Sequence, residues 1–294
     1  MEIRKVAVVG CGLMGSGIAE VAAKSGYDTW VREVNDDLLE KGLGRIRKSM
    51  DRAVDRGKME AEDRDAAMDR IHGVTALDEL ADVDLVIEAI VEELDAKTEL
   101  FGTLDRLCGE ETIFASNTSS LTITEMAAAT DRPDRFLGLH FFNPVPVMKL
   151  VEVVRTIATG EEAHEAALAF VESLGKVPID AKDASGFIVN RLLVPYMLDA
   201  IRALEQGLGS IEDIDRGMEL GTGYPMGPFT LSDFVGIDTL FKIAEIMYEE
   251  YAEARFAPPP LLRRMVTLGY YGRKTGRGFY DYSGDEPEPI SLDL

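Results

Sequence analysis

Six residues near the start of the chain, Gly10-Cys11-Gly12-Leu13-Met14-Gly15, restrict its fold more than any other stretch. They follow Val6 to Val9, a short β-branched and small run. They precede Ile18, Ala19, Val21, Ala22 and Ala23, whose spacing is helical up to Gly26. The order is strand, glycine turn, helix. In such a unit Gly10 makes the tight turn, Gly12 lets the backbone approach a pyrophosphate, and Gly15 lets helix and strand pack closely. The helix start, with Leu13 and Met14, offers its free N–H groups to anionic phosphates.

Glycine turns also close ordinary helices and strands, so the next acid matters. Tyr27 to Val31 reads as a second strand, ending at Arg32 and Glu33. Glu33 lies eighteen residues after Gly15, where the ribose-binding acid of a dinucleotide fold belongs. A carboxylate there accepts from the adenosine 2'-hydroxyl and repels a 2'-phosphate, which favours NAD. Arg32 points the other way, since a nearby arginine can receive that phosphate and so admit NADP.

Composition narrows the class. A chain of 294 residues can bury one large or two ordinary cores, and 46% hydrophobic content spread throughout indicates a globular protein. There are 31 Lys and Arg against 53 Asp and Glu, a net charge of -22. That balance argues against nonspecific nucleic-acid binding, which relies on cations neutralising phosphates. It is also compatible with a high-salt cytoplasm, where self-repulsion is screened. No apolar run has the roughly 18 to 20 residues that span a bilayer. MEIRKVAVVG runs straight into a strand without a signal-peptide pattern. The expected setting is cytoplasmic, without a membrane partner. Cys11 and Cys108 are too few for a disulfide framework and fit small apolar roles.

From Asp36 to Ile71 two helical segments meet around Arg56-Gly57-Lys58, and Arg45, Arg47, Lys48, Arg52, Arg56 and Lys58 make this arm the most basic stretch. It fits either a solvated amphipathic hairpin or an arm offering cations to a phosphate-bearing substrate. Leu85 to Ile90 reads as a buried strand ending in a loop with Glu92, followed by a helix holding Lys97. Ile113 to Ala115 is another strand, stopping at Ser116-Asn117-Thr118-Ser119-Ser120. In an open parallel sheet ligands bind beyond the carboxyl ends of the strands, where Glu92, Asn117 and Ser119 fall. Polar turn residues are common there too, and Ser119 lacks a G-x-S-x-G context.

His140 stands at the end of an apolar run, before two phenylalanines and an Asn143-Pro144 break; a second apolar run carries Glu152. A lone acid in an apolar run must be paired or neutralised. Two neighbouring strands can therefore bring imidazole and carboxylate together as a general base and its partner. The same residues also fit a hydrogen-bonded core histidine beside an unrelated surface glutamate. After Glu161 to Leu174 (helix), Val177 to Ile179 (strand) and a loop through Gly186, the patterns are helical alone. Phe187 opens an apolar helix that holds Asn190 one turn in and Pro195 as a kink. Asn190 fits a buried, partnered amide as well as a cap or a solvent-facing position. Further helices are expected over Ile211 to Leu220, Phe229 to Glu253 and Leu261 to Leu268, and Glu286 to Pro289 reads as a mobile acidic tail. The expected architecture is α/β: an N-terminal Rossmann-like doubly wound sheet with a helical arm over residues 1–185, then an all-α domain over 186–294.

Seven collinear motifs carry a family resemblance over almost the whole chain: GCGLMG at 10–15, EAIVEEL at 88–94, SNTSSL at 116–121, GLHFFNPVPVMKLVEV at 138–153, GFIVNRLLVPY at 186–196, GYPMGPF at 223–229 and GRKTGRGFYDY at 272–282. The chain resembles the L-3-hydroxyacyl-CoA dehydrogenases of the short, two-domain type, including 3-hydroxybutyryl-CoA dehydrogenases. The resemblance implies that His140 and Glu152 are the catalytic pair and that Ser119 and Asn190 contact substrate. Implied cofactor contacts are Gly10, Gly12, Leu13, Met14 and Gly15, with Glu33, Glu92, Lys97, Ser119, Asn143 and Lys274. Implied CoA contacts are Ser49 and Arg56, with an acyl-CoA as substrate. Where this chain has Glu33 and Arg56 the family usually has Asp and Lys; the charge is kept at each. The family also implies a homodimer formed through the helical domain. Two other readings compete: a dehydrogenase of a free hydroxy acid or sugar acid on this fold, and a catalytically silent NAD-binding relative. The basic arm argues against the first and the intact candidate catalytic positions against the second.

Overall fold

A computed structural model describes residues 2–292. Its backbone divides into two compact units, Met1–Phe187 and Ile188–Leu294.

The first unit is built on β1 (Lys5–Val9), α1 (Leu13–Lys24), β2 (Asp28–Arg32), α2 (Asp36–Asp55), α3 (Ala61–Asp69), β3 (Ile71–Val74), β4 (Leu85–Glu88), α4 (Leu94–Leu107), β5 (Ile113–Ser116), α5 (Ile123–Ala127), β6 (Phe136–Phe141), β7 (Leu150–Arg155), α6 (Glu161–Ser173) and β8 (Val177–Lys182). These strands form one eight-stranded sheet in the order β3-β2-β1-β4-β5-β6-β7-β8. From β3 to β6 every pairing is parallel; β7 runs antiparallel to β6 and β8 parallel to β7. Strand order reverses between β1 and β4, the switch point at which such sheets bind ligands.

Helices cover both faces, which is why β1 and β4 read as unbroken apolar runs. Side chains alternate across the sheet: Val6, Val8, Leu85 and Ile87 join one core, while Ala7, Val9, Val86 and Phe114 join the other. Small residues on α1 permit its close approach, with Ile18, Ala19, Ala22 and Ala23 buried. In the arm, the Asn35 side chain caps α2 by accepting from Leu38 N at 2.9 Å.

The second unit comprises α7 (Val189–Glu205), α8 (Ile211–Thr222), α9 (Pro228–Val235), α10 (Ile237–Tyr251), α11 (Pro260–Thr267), and a short ribbon of β9 (Tyr280–Asp281) and β10 (Glu288–Pro289). Three sequence expectations change here. The helix expected over Phe229 to Glu253 is two helices, because Gly236 at φ 103° breaks the ladder. Phe187 precedes α7 at φ 46°, so Asn190 lies in the first helical turn and not a turn inside it. The acidic segment expected to be a mobile tail is tied down: Glu288 pairs with Asp281, Ile290 N bonds to Phe279 O at 3.0 Å, and Ile290 is buried in the unit's core. One apolar side chain two residues beyond the acids outweighed their surface composition.

The last two family motifs have structural work in this unit. Asp215 on α8 accepts from Phe229 N (2.7 Å), Thr230 N (2.9 Å) and Thr230 Oγ1 (2.7 Å), capping α9 from another helix. A Cβ on Gly227 would stand 2.4 Å from Asp215. Asp233 accepts from Phe279 N and Tyr280 N, both at 2.9 Å, and a Cβ on Gly278 would meet its carboxylate. Tyr280 joins the two acids, its hydroxyl donating to Asp215 at 3.0 Å.

Candidate active site

The glycine turn sits between β1 and α1 at the switch point. Gly10 has φ 92°, and a Cβ there would lie 2.6 Å from Ala89 O; one on Gly15 would lie 1.8 Å from Gly10 O. Both positions are closed to any side chain. Gly12 differs, since nothing lies within 4 Å of where its Cβ would be. It is also the N-cap of α1 and provides no side-chain cap, and the first turn carries no acid. The N–H groups of Leu13, Met14 and Gly15 thus face a helix start built to receive an anion. These features fit a dinucleotide pyrophosphate.

Glu33 follows β2. Its Oε1 accepts from Cys11 N at 2.6 Å inside the glycine turn, and its Oε2 from Val34 N at 3.2 Å. Arg32, the residue that could favour a 2'-phosphate, turns aside and donates from Nε to Thr75 O at 3.1 Å. Arg45 on α2 donates to Cys11 O at 3.0 Å, and Gly42 lies so close to Cys11 that a Cβ would stand 2.4 Å from its sulfur. The arm therefore packs directly on the turn, and neither Gly42 nor Arg45 was marked by a sequence motif. Ser49 lies late in α2, half-buried, and Arg56 is its exposed C-terminal cap residue.

Across the switch point, Glu92 holds the turn that carries Ser119. Its Oε1 accepts from the Thr118 hydroxyl, from Ser119 N at 3.0 Å and from Ser120 Oγ at 3.2 Å, with Ser119 Oγ at 3.5 Å. Burial raises the Glu92 carboxyl, but the Lys97 charge and the Thr118 and Ser119 hydrogen bonds outweigh it and bring it below the usual range. Lys97, expected as a cofactor contact, is 1% exposed and its ammonium is committed to Glu88 Oε1 at 2.5 Å and Glu92 Oε2 at 3.2 Å. It serves as an internal counter-ion, because a buried ammonium requires paired carboxylates. Glu88 was overlooked in the sequence although the signal was there: it ends the apolar run of β4, as Glu152 interrupts that of β7.

His140 is one residue from the end of β6 and sits opposite Glu152 in the β6–β7 register. Nδ1 lies 2.6 Å from Glu152 Oε2, with His140 6% exposed and Glu152 fully buried. A carboxylate partner fixes the proton on Nδ1, leaving Nε2 as the basic nitrogen. The imidazole is flanked by Phe142 and Phe187, ring centroids 4.5 and 5.6 Å away. Asn117 Oδ1 accepts from Phe141 N at 2.9 Å and so ties the end of β6 to β5. Asn143 is exposed on the following loop. That loop is anchored by Lys176, whose Nζ donates to Val145 O at 2.6 Å and Met148 O at 2.7 Å; burial, with Lys24 nearby, lowers its ammonium. The first unit thus carries the glycine turn, Glu33, Glu92, Ser119, His140 and Asn143 at the carboxyl ends of its parallel strands, with Glu152 opposite His140 on the antiparallel β7. Asn190 and Lys274 belong to the second unit, where Lys274 forms an ion pair with Asp238.

A sheet of this order, with an open glycine turn at its switch point, defines the dinucleotide-binding class of α/β fold. Comparison with known proteins then narrows it. Residues 5–184 match the NAD binding domain of 3-hydroxyacyl-CoA dehydrogenase, and residues 186–282 match its C-terminal domain. The chain belongs to the 3-hydroxyacyl-CoA dehydrogenase family. It is 50% identical over 282 residues to a 3-hydroxybutyryl-CoA dehydrogenase of Mycobacterium tuberculosis, covering 95% of this chain and 99% of the relative. It is 48% identical over 289 residues to the human mitochondrial hydroxyacyl-coenzyme A dehydrogenase, covering 95% and 91%. The crystal structure of M. tuberculosis FadB2 superposes with a TM-score of 0.95 at 50% identity, covering 96% of this chain and all of that one. The (S)-3-hydroxybutyryl-CoA dehydrogenase PaaH1 from Ralstonia eutropha superposes at 0.92 with 45% identity and the same coverage. Among the described residues no helix is long and apolar enough to cross a membrane.

Proposed function

We propose that this protein interconverts (S)-3-hydroxyacyl-CoA and 3-oxoacyl-CoA by hydride transfer to and from NAD. The observation that carries the reading is the buried His140–Glu152 pair on β6 and β7, in the same sheet whose β1 leads into a helix start suited to a pyrophosphate. A bound nicotinamide dinucleotide supplies the hydride acceptor or donor. His140 takes the proton of the substrate 3-hydroxyl at Nε2 during oxidation and returns it during reduction. Glu152 holds the imidazole through Nδ1 and stabilises the imidazolium that forms. Ser119 and Asn190 orient the substrate oxygens by hydrogen bonds.

The preference for NAD over NADP rests on Glu33, whose carboxylate would repel a 2'-phosphate, while Arg32 is engaged at Thr75. Glu92, Asn143 and Lys274 complete the proposed cofactor contacts, with Lys97 acting through its ion pairs. Ser49 and Arg56 on the basic arm take the CoA portion. We assign cofactor binding to residues 1–185, which also carry the CoA contacts of the arm, and further substrate contacts with dimerisation to residues 186–294. Exposed Leu192, Leu208 and Leu220 in the helical unit support a homodimer, for which light scattering should give twice the 32.3 kDa chain mass.

His140→Gln tests the chemistry. In an assay of NADH loss with acetoacetyl-CoA, kcat should fall on the order of 10² to 10⁴-fold while NADH affinity stays close to wild type. A near-normal kcat would overturn the assignment.

A further inference from the structure

We propose that Glu88, which the chemistry above does not use, is a positioning residue that sets Ser119 through two separate hydrogen-bonded routes. The proposal rests on the reading that Ser119 touches a substrate oxygen. Glu88 is the last residue of β4 and is fully buried. A carboxylate in that position persists only if its oxygens are saturated with donors. It has three: Ile90 N at 2.7 Å and Lys97 Nζ at 2.5 Å on Oε1, and Ser116 Oγ at 2.6 Å on Oε2.

The first route leaves through Ser116. Its hydroxyl directs its hydrogen at Glu88, so the oxygen lone pair is turned to accept from Thr118 N at 3.2 Å. The second leaves through Lys97, whose ammonium bridges Glu88 to Glu92. Glu92 in turn gathers Thr118 Oγ1, Ser119 N and Ser120 Oγ. Both routes converge on residues 118–120. With Ile90 N also held, the carboxylate fixes the 88–90 turn, whose Ala89 carbonyl abuts Gly10. A glutamine keeps the shape of Glu88 but turns one oxygen into a donor. Facing the Lys97 ammonium and Ile90 N–H, that nitrogen sets donor against donor and breaks the second route; facing Ser116, it forces the hydroxyl to reverse, accept from the amide and turn its hydrogen away, which reorients the first.

A merely structural ion pair would add stability without acting through Ser119. A double-mutant cycle on the full chain separates the two: wild type, Glu88→Gln, Ser119→Ala and the double variant, each assayed for NADH oxidation with acetoacetyl-CoA. Glu88→Gln should lower kcat on the order of 10- to 100-fold, the scale of a small misplacement of a reacting group. In the Ser119→Ala background the same change should cost less than about threefold, because the group it positions is gone. An undiminished loss in that background overturns the proposal. So does a Ser119→Ala variant of unchanged kcat, which would also remove the proposed role of Ser119 while leaving the His140 test standing on its own. If Glu88→Gln does not fold, Ser116→Ala severs the first route alone and keeps the buried ion pair. Its smaller kcat loss should likewise vanish beside Ser119→Ala, and an additive loss overturns the proposal.

Discussion

Glu92 shows how single residues near this site combine opposing influences. Burial disfavours its charge, while Lys97 at 3.2 Å and the donors of residues 118–120 favour it, and the balance lies on the charged side. A folded pKa below the unfolded value of 4.5 means that the ionised carboxylate stabilises the fold at neutral pH. That stability is fully present above the unfolded value and is lost as pH falls through the folded one. Thermal midpoints of Glu92→Gln should therefore depend less on pH than those of wild type between about pH 5 and pH 3. Parallel curves would mean that Glu92 is not held charged by these partners. At the same scale, Lys97 is held between two carboxylates, Glu88 and Glu92. Sequence showed its position, and only the structure showed that Glu88 and Glu92 enclose its charge.

Elements here are terminated and joined by side chains from elsewhere in the chain. Helix α9 has a glycine N-cap without a side-chain bond of its own and takes its cap from Asp215 on α8. Removing that carboxylate leaves two buried N–H groups and two hydroxyls short of a partner. Asp215→Ala should cost about 2 to 4 kcal/mol in a denaturant titration, and Asp215→Asn, which retains one acceptor, about half as much. Equal losses for the two would show that packing volume, and not capping, sets the cost. Asp183 does the same for α5, accepting from Ile123 N at 2.8 Å and Thr124 N at 2.7 Å over sixty residues of sequence separation. Such caps are invisible to local patterns, which look for the capping residue beside the helix it serves.

For the whole molecule the dominant quantity is charge. A net charge of -22 on 294 residues implies self-repulsion that screening should relieve, as the Debye length falls from about 10 Å at 0.1 M salt to about 3 Å at 1 M. The thermal midpoint should accordingly rise by at least about 3 °C between those concentrations, which corresponds to roughly 1 kcal/mol for a chain of this size. A flat midpoint would exclude repulsion as a significant destabilising influence and with it the high-salt interpretation of the composition.

Sequence alone determined the features set by short-range rules. Val6 to Gly15 could only be strand, turn and helix. Alternation of strands and helices up to the mid-180s pointed to a mostly parallel sheet, and motif order tied the chain to its family. The acid in one apolar run, Glu152, pointed to buried pairing, and the same signal stood unread at Glu88. The tertiary structure decided which partner each acid found: Glu152 meets His140 by strand register, and Glu88 meets Lys97 and Ser116 by the convergence of β4, α4 and β5. It also decided that Ile290 anchors the acidic C-terminal segment and that Gly42 brings the basic arm against Cys11. Register, burial and close approach depend on residues tens of positions apart, and local spacing carries no information about which of them become neighbours. For that reason the stretch that most constrained the fold was readable at once, whereas the network proposed to position Ser119 became visible only in three dimensions.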